Sequence, residues 1–312
     1  MKRSKLFVAL LACPVLWACS PGDSPKDAAA ADRPPPALTG AWHATRVHVE
    51  SGPEAGSHTV DVQPAIYIFA KTHYAVTAVR GFQARGYLSD EPTEEEQGVA
   101  FAPFTGSAGV YTSNADKLTL TPQVAKDPGD MIVPQPMEYE LQWAEDKVFL
   151  STTAPDGGAI TTELTRLTDD PLRASPEALR LKGVWRRTEM IVGAGPDAGP
   201  HLDDMQPGFY IFDPPYFSGN FVTGFAPRLA LSDNATDADR GRAFAPFASF
   251  AGTYTVDDDE LVFRPLVTLN PNNMRGRPFQ PIKVEWADPD VWFVYTGANG
   301  IQNRVRLTPV AD

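Results

Sequence analysis

The sequence predicts an all-β protein made of two tandem antiparallel up-and-down β-barrels, each with a short helical segment. Its 312 residues include 24 glycines and 30 prolines, which interrupt long helices and are typical of short strands joined by tight turns. Apolar residues make up 43% of the chain, which is enough for a hydrophobic core. A repeat at constant offset indicates that one folding unit occurs twice. These observations exclude helical bundles and coiled coils.

The repeat relates the two halves of the chain without a gap. Residues 38–42 (LTGAW) recur 143 positions later as residues 181–185 (LKGVW). The same offset relates further segments: YIF at 67–69 and 210–212, FAPF at 101–104 and 244–247, and WA at 143–144 and 286–287. Each copy is the size of a domain, so we interpret the repeat as an internal duplication.

The repeat also sets the expected domain boundaries. We expect barrel 1 at residues 38–168, an inter-domain linker at 169–180 and barrel 2 at 181–310. Within the linker, Ser175 as N-cap and Pro176 at the first helical position predict a short helix.

Strand patterns dominate each copy. Apolar and polar residues alternate over residues 118–124, and again over 261–267, which is typical of a half-buried strand. Residues 144–147 predict the turn of a hairpin. Because closure removes exposed sheet edges, consecutive antiparallel strands in a domain of this size favour a barrel.

A capping-box pattern marks the helical segment between strands. Thr93 and Glu96 have the spacing in which each side chain bonds the other residue's backbone N–H, and Thr236 and Asp239 stand in the same place in copy two. A short helix should run from there toward Phe101 and, in copy two, toward Phe244. We expect these phenylalanines, with Phe104 and Phe247, to form either a flap over the open end or part of the core.

The N-terminus has the pattern of an export signal. Basic residues precede an apolar run from residue 6 to residue 18, which is too short for a membrane span. The ending Leu-Trp-Ala-Cys resembles the lipobox of bacterial lipoproteins, which implies cleavage after residue 18 and lipidation of Cys19; Leu-Leu-Ala-Cys at Cys13 also fits, less well. Ser20 then points to the outer membrane. The alternative is a plain secretory signal with a chance cysteine.

Residues 19–37 are rich in Pro, Ala, Asp and Ser and predict a tether between the lipid anchor and the folded body. The formal net charge of −12 disfavours nucleic acid as a partner. Both cysteines of the chain lie within the first 19 residues, so no disulfide is expected in the mature fold.

Several motifs together resemble the bacterial lipocalin-like domains of the wider lipocalin and fatty-acid-binding superfamily. They are Gly-x-Trp at the first strand, a strand ending in Tyr-Ile-Phe, a later Gly-x-Tyr strand and hairpins with Asp-Gly turns. In lipocalins an arginine from the last strand covers the Gly-x-Trp tryptophan, and the resemblance makes Arg166 and Arg306 the nearest candidates. Their spacing of 140 departs from the repeat offset. We expect Trp42 and Trp185 to plug the closed ends of the barrels.

The candidate ligand-binding residues are polar residues that both copies retain. They are Gln63, Tyr67, Arg85 and Tyr111 in copy one and Gln206, Tyr210, Arg228 and Tyr254 in copy two. An arginine enclosed by aromatic side chains can bond both oxygens of a carboxylate, so a small hydrophobic or amphipathic ligand with an acidic head is the expected partner. The alternative is that the tyrosines pack the core and rim and that Arg85 is a solvated loop residue.

Catalytic, metal and cofactor sites have little support in the sequence. His43 and His48 would point to opposite faces of a strand, and His58 with Asp61 fits a polar loop better than a metal site. We therefore expect no metal and no cofactor, and we name no catalytic residue. The alternative functions are a barrel enzyme of isomerase, cyclase or hydratase type and a non-catalytic interaction protein of the cell envelope.

Overall fold

The computed structural model describes residues 37–154, 157–168, 174–297 and 300–311. The expected signal peptide at 1–18, Cys19, nearly all of the tether and part of the linker lie outside the described residues. All of the structure below belongs to one compact unit, Ala37–Asp312.

Barrel 1 is a meander of nine antiparallel strands in which β1 pairs with both β3 and β9, so the sheet closes on itself. The short strand β2 forms a hairpin with the last residues of β1. The strands are β1 (Gly40–Val49), β2 (Gly56–His58), β3 (Ala65–Phe69), β4 (His73–Val79), β5 (Phe104–Ser113), β6 (Lys117–Ala125), β7 (Met137–Ala144), β8 (Lys147–Thr153) and β9 (Ala159–Arg166).

Barrel 2 repeats this topology, with β10 paired to β12 and β18. Its strands are β10 (Gly183–Val192), β11 (Gly199–His201), β12 (Gly208–Asp213), β13 (Tyr216–Val222), β14 (Phe247–Asp257), β15 (Glu260–Thr268), β16 (Ile282–Ala287), β17 (Asp290–Thr296) and β18 (Gln302–Pro309). The predicted fold class of two tandem antiparallel barrels is confirmed.

The helices are short and lie between strands. They are α1 (Glu94–Phe101), α2 (Gly129–Ile132), α3 (Pro176–Arg180), α4 (Asp237–Phe244) and a 3-10 helix at Pro271–Met274. The predicted capping boxes at Thr93 and Thr236 are both present, as is the predicted Ser175 cap of α3. Among the described residues, no helix has the length and apolar character needed to cross a bilayer.

The tryptophan of the first strand is buried in each barrel. Trp42 is buried and donates from Nε1 to the Leu38 carbonyl at 2.7 Å, and Trp185 donates to the Leu181 carbonyl at the same distance. Arg166 lies over the Trp42 ring, with its guanidinium carbon 4.2 Å from the ring centroid.

Among the described residues of barrel 2, no arginine takes the place that Arg166 has in barrel 1. Its β18 has Pro309 opposite Trp185, where β9 has Arg166 opposite Trp42. Arg306, the second candidate from the lipocalin resemblance, instead bonds Asp290 and Glu189. The arginine–tryptophan contact is thus a feature of barrel 1.

The barrels pack against each other through contacts that equivalent residues of the two copies make reciprocally. Helices α1 and α4 meet where Gly98 and Gly241 bring the two backbones together. Arg85 donates to the carbonyls of Thr268 and Leu269 in barrel 2, at 2.6 and 2.7 Å. Arg228 donates to the equivalent carbonyls in barrel 1, those of Ala125 and Lys126. One buried cluster includes apolar side chains of both barrels, among them Phe101, Phe104, Phe244 and Phe247.

These four phenylalanines were expected either as a flap or as core, and the structure places them in the core between the barrels. All four are buried. At the centre of the same contact, Thr77 of barrel 1 bonds the hydroxyls of Ser218 and Ser249 in barrel 2.

Candidate functional site

Barrel 1 encloses a cavity of about 390 Å³ between the inner faces of its strands. Most of the lining is apolar, and several of the residues are small. The lining includes Ala44, Val47, Val49, Val62, Ala65, Val76, Ala78, Val79, Met137 and Ile160. A cavity of this size and character is typical of a site for a small organic molecule.

Two tyrosines present phenols to this cavity. Tyr67 on β3 and Tyr139 on β7 both line it. Within the part of the chain that the structure describes, neither hydroxyl has a hydrogen-bond partner. Burial raises the pKa of both phenols, so they remain protonated hydrogen-bond donors at neutral pH.

Arg80 stands where the cavity opens to solvent. It lines both the cavity and an outer groove of about 760 Å³, together with Glu54, Gly81 and Phe82. Its side chain is exposed and, within the described ranges, forms no ion pair. The four shared residues therefore define the mouth of the cavity, and Arg80 is the cation there.

A stacked pair of rings, His58 and Phe82, connects two loops at the mouth of the cavity. The rings of His58 and Phe82 are nearly parallel, with centroids 3.4 Å apart. His58 Nδ1 lies 2.9 Å from an Asp61 carboxylate oxygen, and its Nε2 lies 2.9 Å from the Glu54 carbonyl. The hydrogen bond to Asp61 raises the pKa of His58. The pair thus ties the loop after β2 to the loop after β4.

Barrel 2 has an equivalent stacked pair, in which His201 stacks on Phe225 and hydrogen-bonds Asp204. Among the described residues, no group of three or more His, Cys, Asp or Glu side chains is arranged to hold a metal ion. The recurrence of His58 and Asp61 is therefore explained by their contact with each other and with the loops.

Barrel 2 has larger side chains at several positions that line the cavity in barrel 1. Ala44, Ala78 and Ser107 of the cavity wall correspond through the repeat to larger residues. These are Arg187, Phe221 and Phe250, which meet around Tyr210. Phe263 and Phe293 complete the aromatic cluster.

Arg187 is a buried cation inside barrel 2. It donates from Nη1 to the Val222 carbonyl at 2.9 Å, and its guanidinium carbon lies 4.5 Å from the Phe221 ring centroid. Burial lowers the pKa of Arg187. The Val222 carbonyl and the Phe221 ring partly compensate the guanidinium for its lost hydration. The Arg187 side chain therefore occupies space inside barrel 2.

The candidate residues of copy one divide into two groups. Tyr67 and Gln63 line the cavity. Tyr111 donates to the Ala70 carbonyl at 2.8 Å, and Arg85 bonds barrel 2, so neither lines this cavity. The expected meeting of Tyr67, Tyr111 and Arg85 in one cavity does not occur.

The candidates of copy two lie in packed surroundings. Tyr210 is part of the aromatic cluster, and Tyr254 donates to the Ala178 carbonyl at 2.8 Å. Gln206 donates to the Phe225 carbonyl, and Arg228 lies at the barrel–barrel contact.

The sequence reasoning missed Arg80 and Tyr139. Both differ between the copies, since the repeat places Thr223 and Ile282 at the equivalent positions. A comparison of side-chain volume at inward-facing positions, copy against copy, could have found the hollow barrel.

Comparisons with known proteins do not identify a family for this chain. No family profile and no curated protein sequence matches the chain. A redesigned β-barrel has 15% sequence identity over 42% of this chain and 92% of its own, with a TM-score of 0.24. A protein of unknown function from the DUF3598 family of Nostoc punctiforme PCC 73102 has 8% identity over 88% of this chain and 96% of its own, with a TM-score of 0.21. Neither similarity assigns the chain to a family.

Proposed function

We propose that this protein is a lipid-anchored, lipocalin-like binding protein of the bacterial cell envelope, and that barrel 1 holds a small amphipathic molecule with an acidic head. Barrel 2 is the solid support against which barrel 1 packs. The observation that carries the proposal is the 390 Å³ cavity, with apolar walls and Arg80 at its mouth.

The physical basis is burial of the ligand's apolar part combined with recognition of its charge. Each Å² of apolar surface removed from water contributes roughly 25 cal/mol. The guanidinium of Arg80 can bond both oxygens of a carboxylate, and no carboxylate of the described residues competes for it within ion-pair distance. The Arg166–Trp42 contact supports the lipocalin-like assignment, since the resemblance implied such a pair.

Cavity filling tests the binding function. Ala78→Phe and Ser107→Phe introduce at each position the residue that barrel 2 already has, so the purified variants should fold and lose binding of dansylaminoundecanoic acid by at least about tenfold. Arg80→Met should weaken binding by a similar factor, because it removes the charge and keeps most of the volume.

Arg264→Met is the matched control, since Arg264 is exposed on the outer face of barrel 2. It should bind the fluorescent acid as the wild type does. Binding that survives both filling substitutions, or that is absent from the wild type, would contradict the proposal.

Membrane anchoring needs a separate test, because Cys19 lies outside the described residues. Cys19→Ser should move the protein from the membrane fraction to the soluble periplasmic fraction, while Cys13→Ser should leave it membrane-bound. A Cys19→Ser protein that still sediments with membranes would exclude lipidation at this position.

A further inference from the structure

We infer that the ligand of barrel 1 carries, besides its acidic head, an uncharged oxygen acceptor such as a keto or ether oxygen, which the phenols of Tyr67 and Tyr139 recognise inside the cavity. This inference rests on the proposed function and names the chemistry of the ligand's buried part.

The first argument is the imbalance of donors and acceptors. The two phenols are donors held neutral by burial, and they have no partner among the described residues. The hydroxyl of Ser107, which also lines the cavity, already lies 3.4 Å from that of Tyr74. A plain alkyl chain would displace water from the phenols and give them no acceptor, which leaves each of these donors buried and unpaired.

The second argument is the separation between the phenol of Tyr67 and the cation. Tyr67 is the last residue of β3 to line the cavity, and Phe69, further along the strand, belongs to the packed closed end. Tyr67 pairs with Val76, and three further residues of β4 lead to Val79 at the mouth beside Arg80. At about 3.3 Å per residue, the floor lies roughly 10 Å from the mouth.

These positions imply two points of recognition on one molecule. Arg80 binds the acid at the mouth, and the phenol of Tyr67 binds an oxygen near the far end of the ligand. A site built to bond a ligand oxygen discriminates against the analogue without it, because the site's donors are then buried unpaired.

Barrel 2 gives an internal comparison. Its Tyr210 corresponds to Tyr67, yet the ring there is enclosed by Phe221, Phe250 and Phe293. In barrel 1 the residues equivalent to the first two of these are Ala78 and Ser107, and space is left above the phenol. The exposure of the Tyr67 hydroxyl to the cavity is therefore a consequence of how copy one differs from copy two.

The test uses the purified full-length protein and two acids of equal chain length, undecanoate and its analogue with a keto group beside the terminal methyl. Each competes with dansylaminoundecanoic acid. Tyr67→Phe should weaken binding of the keto acid by about tenfold, and it should leave binding of undecanoate as tight or tighter, because the donor that undecanoate leaves unpaired is gone. Tyr139→Phe should act in the same direction.

Two controls locate the effect. Tyr87→Phe changes an exposed tyrosine of the outer groove and should alter neither affinity. An isomer with its keto group close to the carboxylate should bind Tyr67→Phe no more weakly than wild type, because its oxygen cannot reach Tyr67.

The possible failures are distinguishable. If both acids displace the fluorescent probe and the tyrosine variants treat them alike, the acceptor inference is overturned and the binding function stands. If neither acid nor the probe binds wild type, the proposed function itself is overturned.

Discussion

Lys126 is a buried cation without a carboxylate within ion-pair distance among the described residues. Its Nζ donates to the carbonyls of Phe101 and Ala102 at the end of α1, and it lies 4.4 Å from the Phe244 ring centroid. The side chain is only 8% exposed, and burial lowers its pKa to about 7. Desolvation thus outweighs the carbonyls and the ring. The repeat places Leu269 at the equivalent position, which shows that the contact accommodates an apolar side chain.

Lys126 should make folding stability depend on pH. Because the folded pKa is below the unfolded value, the unfolded chain binds more protons between about pH 7 and pH 10, and stability rises with pH over that window. Relative to Lys126→Leu, the wild type should gain about 2 kcal/mol between pH 7.5 and 9.5. Urea unfolding at both pH values checks this, and parallel pH profiles would contradict it.

At the residue scale, the sequence named Tyr67 and Gln63, which line the cavity, and did not name Arg80 and Tyr139, which line it too. The reason is physical. Polar residues that both copies retain form structural contacts that both barrels have. Arg85 and Arg228, for example, each hydrogen-bond the opposite barrel. The cavity of barrel 1 depends instead on positions where the copies differ, such as Ala78 and its equivalent Phe221.

Helices α1 and α4 pack as closely as two backbones can. A Cβ on Gly98 would lie 1.8 Å from the Asp237 carbonyl oxygen, and one on Gly241 would lie 1.8 Å from that of Glu94. The contact therefore requires glycine at both positions, and each helix bears on the first turn of the other.

Gly98→Ala should destabilise the protein by about 2 kcal/mol or more, because the helices must separate and the buried cluster beneath them loosens. Gly86→Ala is the control, since nothing lies within 4 Å of a Cβ there. Urea midpoints compare the two. Equal midpoints for both variants would show that the helix contact carries little of the stability.

At the element scale, local sequence signals predicted where the helices begin. They did not predict which helices pack against each other. Thr93, Thr236 and Ser175 marked helix starts correctly because a cap is a short-range hydrogen bond. That α1 would pack on α4 depends on residues 143 positions apart, and no local pattern reports such a contact.

The two barrels share one buried cluster, so we expect them to unfold together. That cluster joins Ala41, Ile66 and Phe104 of barrel 1 with Phe209 and Val267 of barrel 2. Wild type should therefore show one transition, coincident by tryptophan fluorescence and far-UV circular dichroism. Two resolved transitions would mean that the barrels are independent.

At the whole-molecule scale, duplication and barrel closure followed from the repeat, the period-two strands and the turns. The difference between a hollow and a filled barrel did not follow, because fold class depends on the alternation of apolar and polar residues, whereas a cavity depends on side-chain volume. Ala44 and Arg187 occupy equivalent positions in the two copies. The sequence comparison considered only residues that both copies retain, so it did not consider this pair.

The hydroxyls at the centre of the barrel–barrel contact also determine which barrel can pair with which. Thr77 meets Ser218 and Ser249, whose equivalents in the first copy are Ala75 and Gly106. If two first copies from different chains came together, Thr77 would find a methyl group and a bare backbone in place of these hydroxyls. The cost of that mismatch favours the pairing of a first copy with a second copy over the pairing of two first copies.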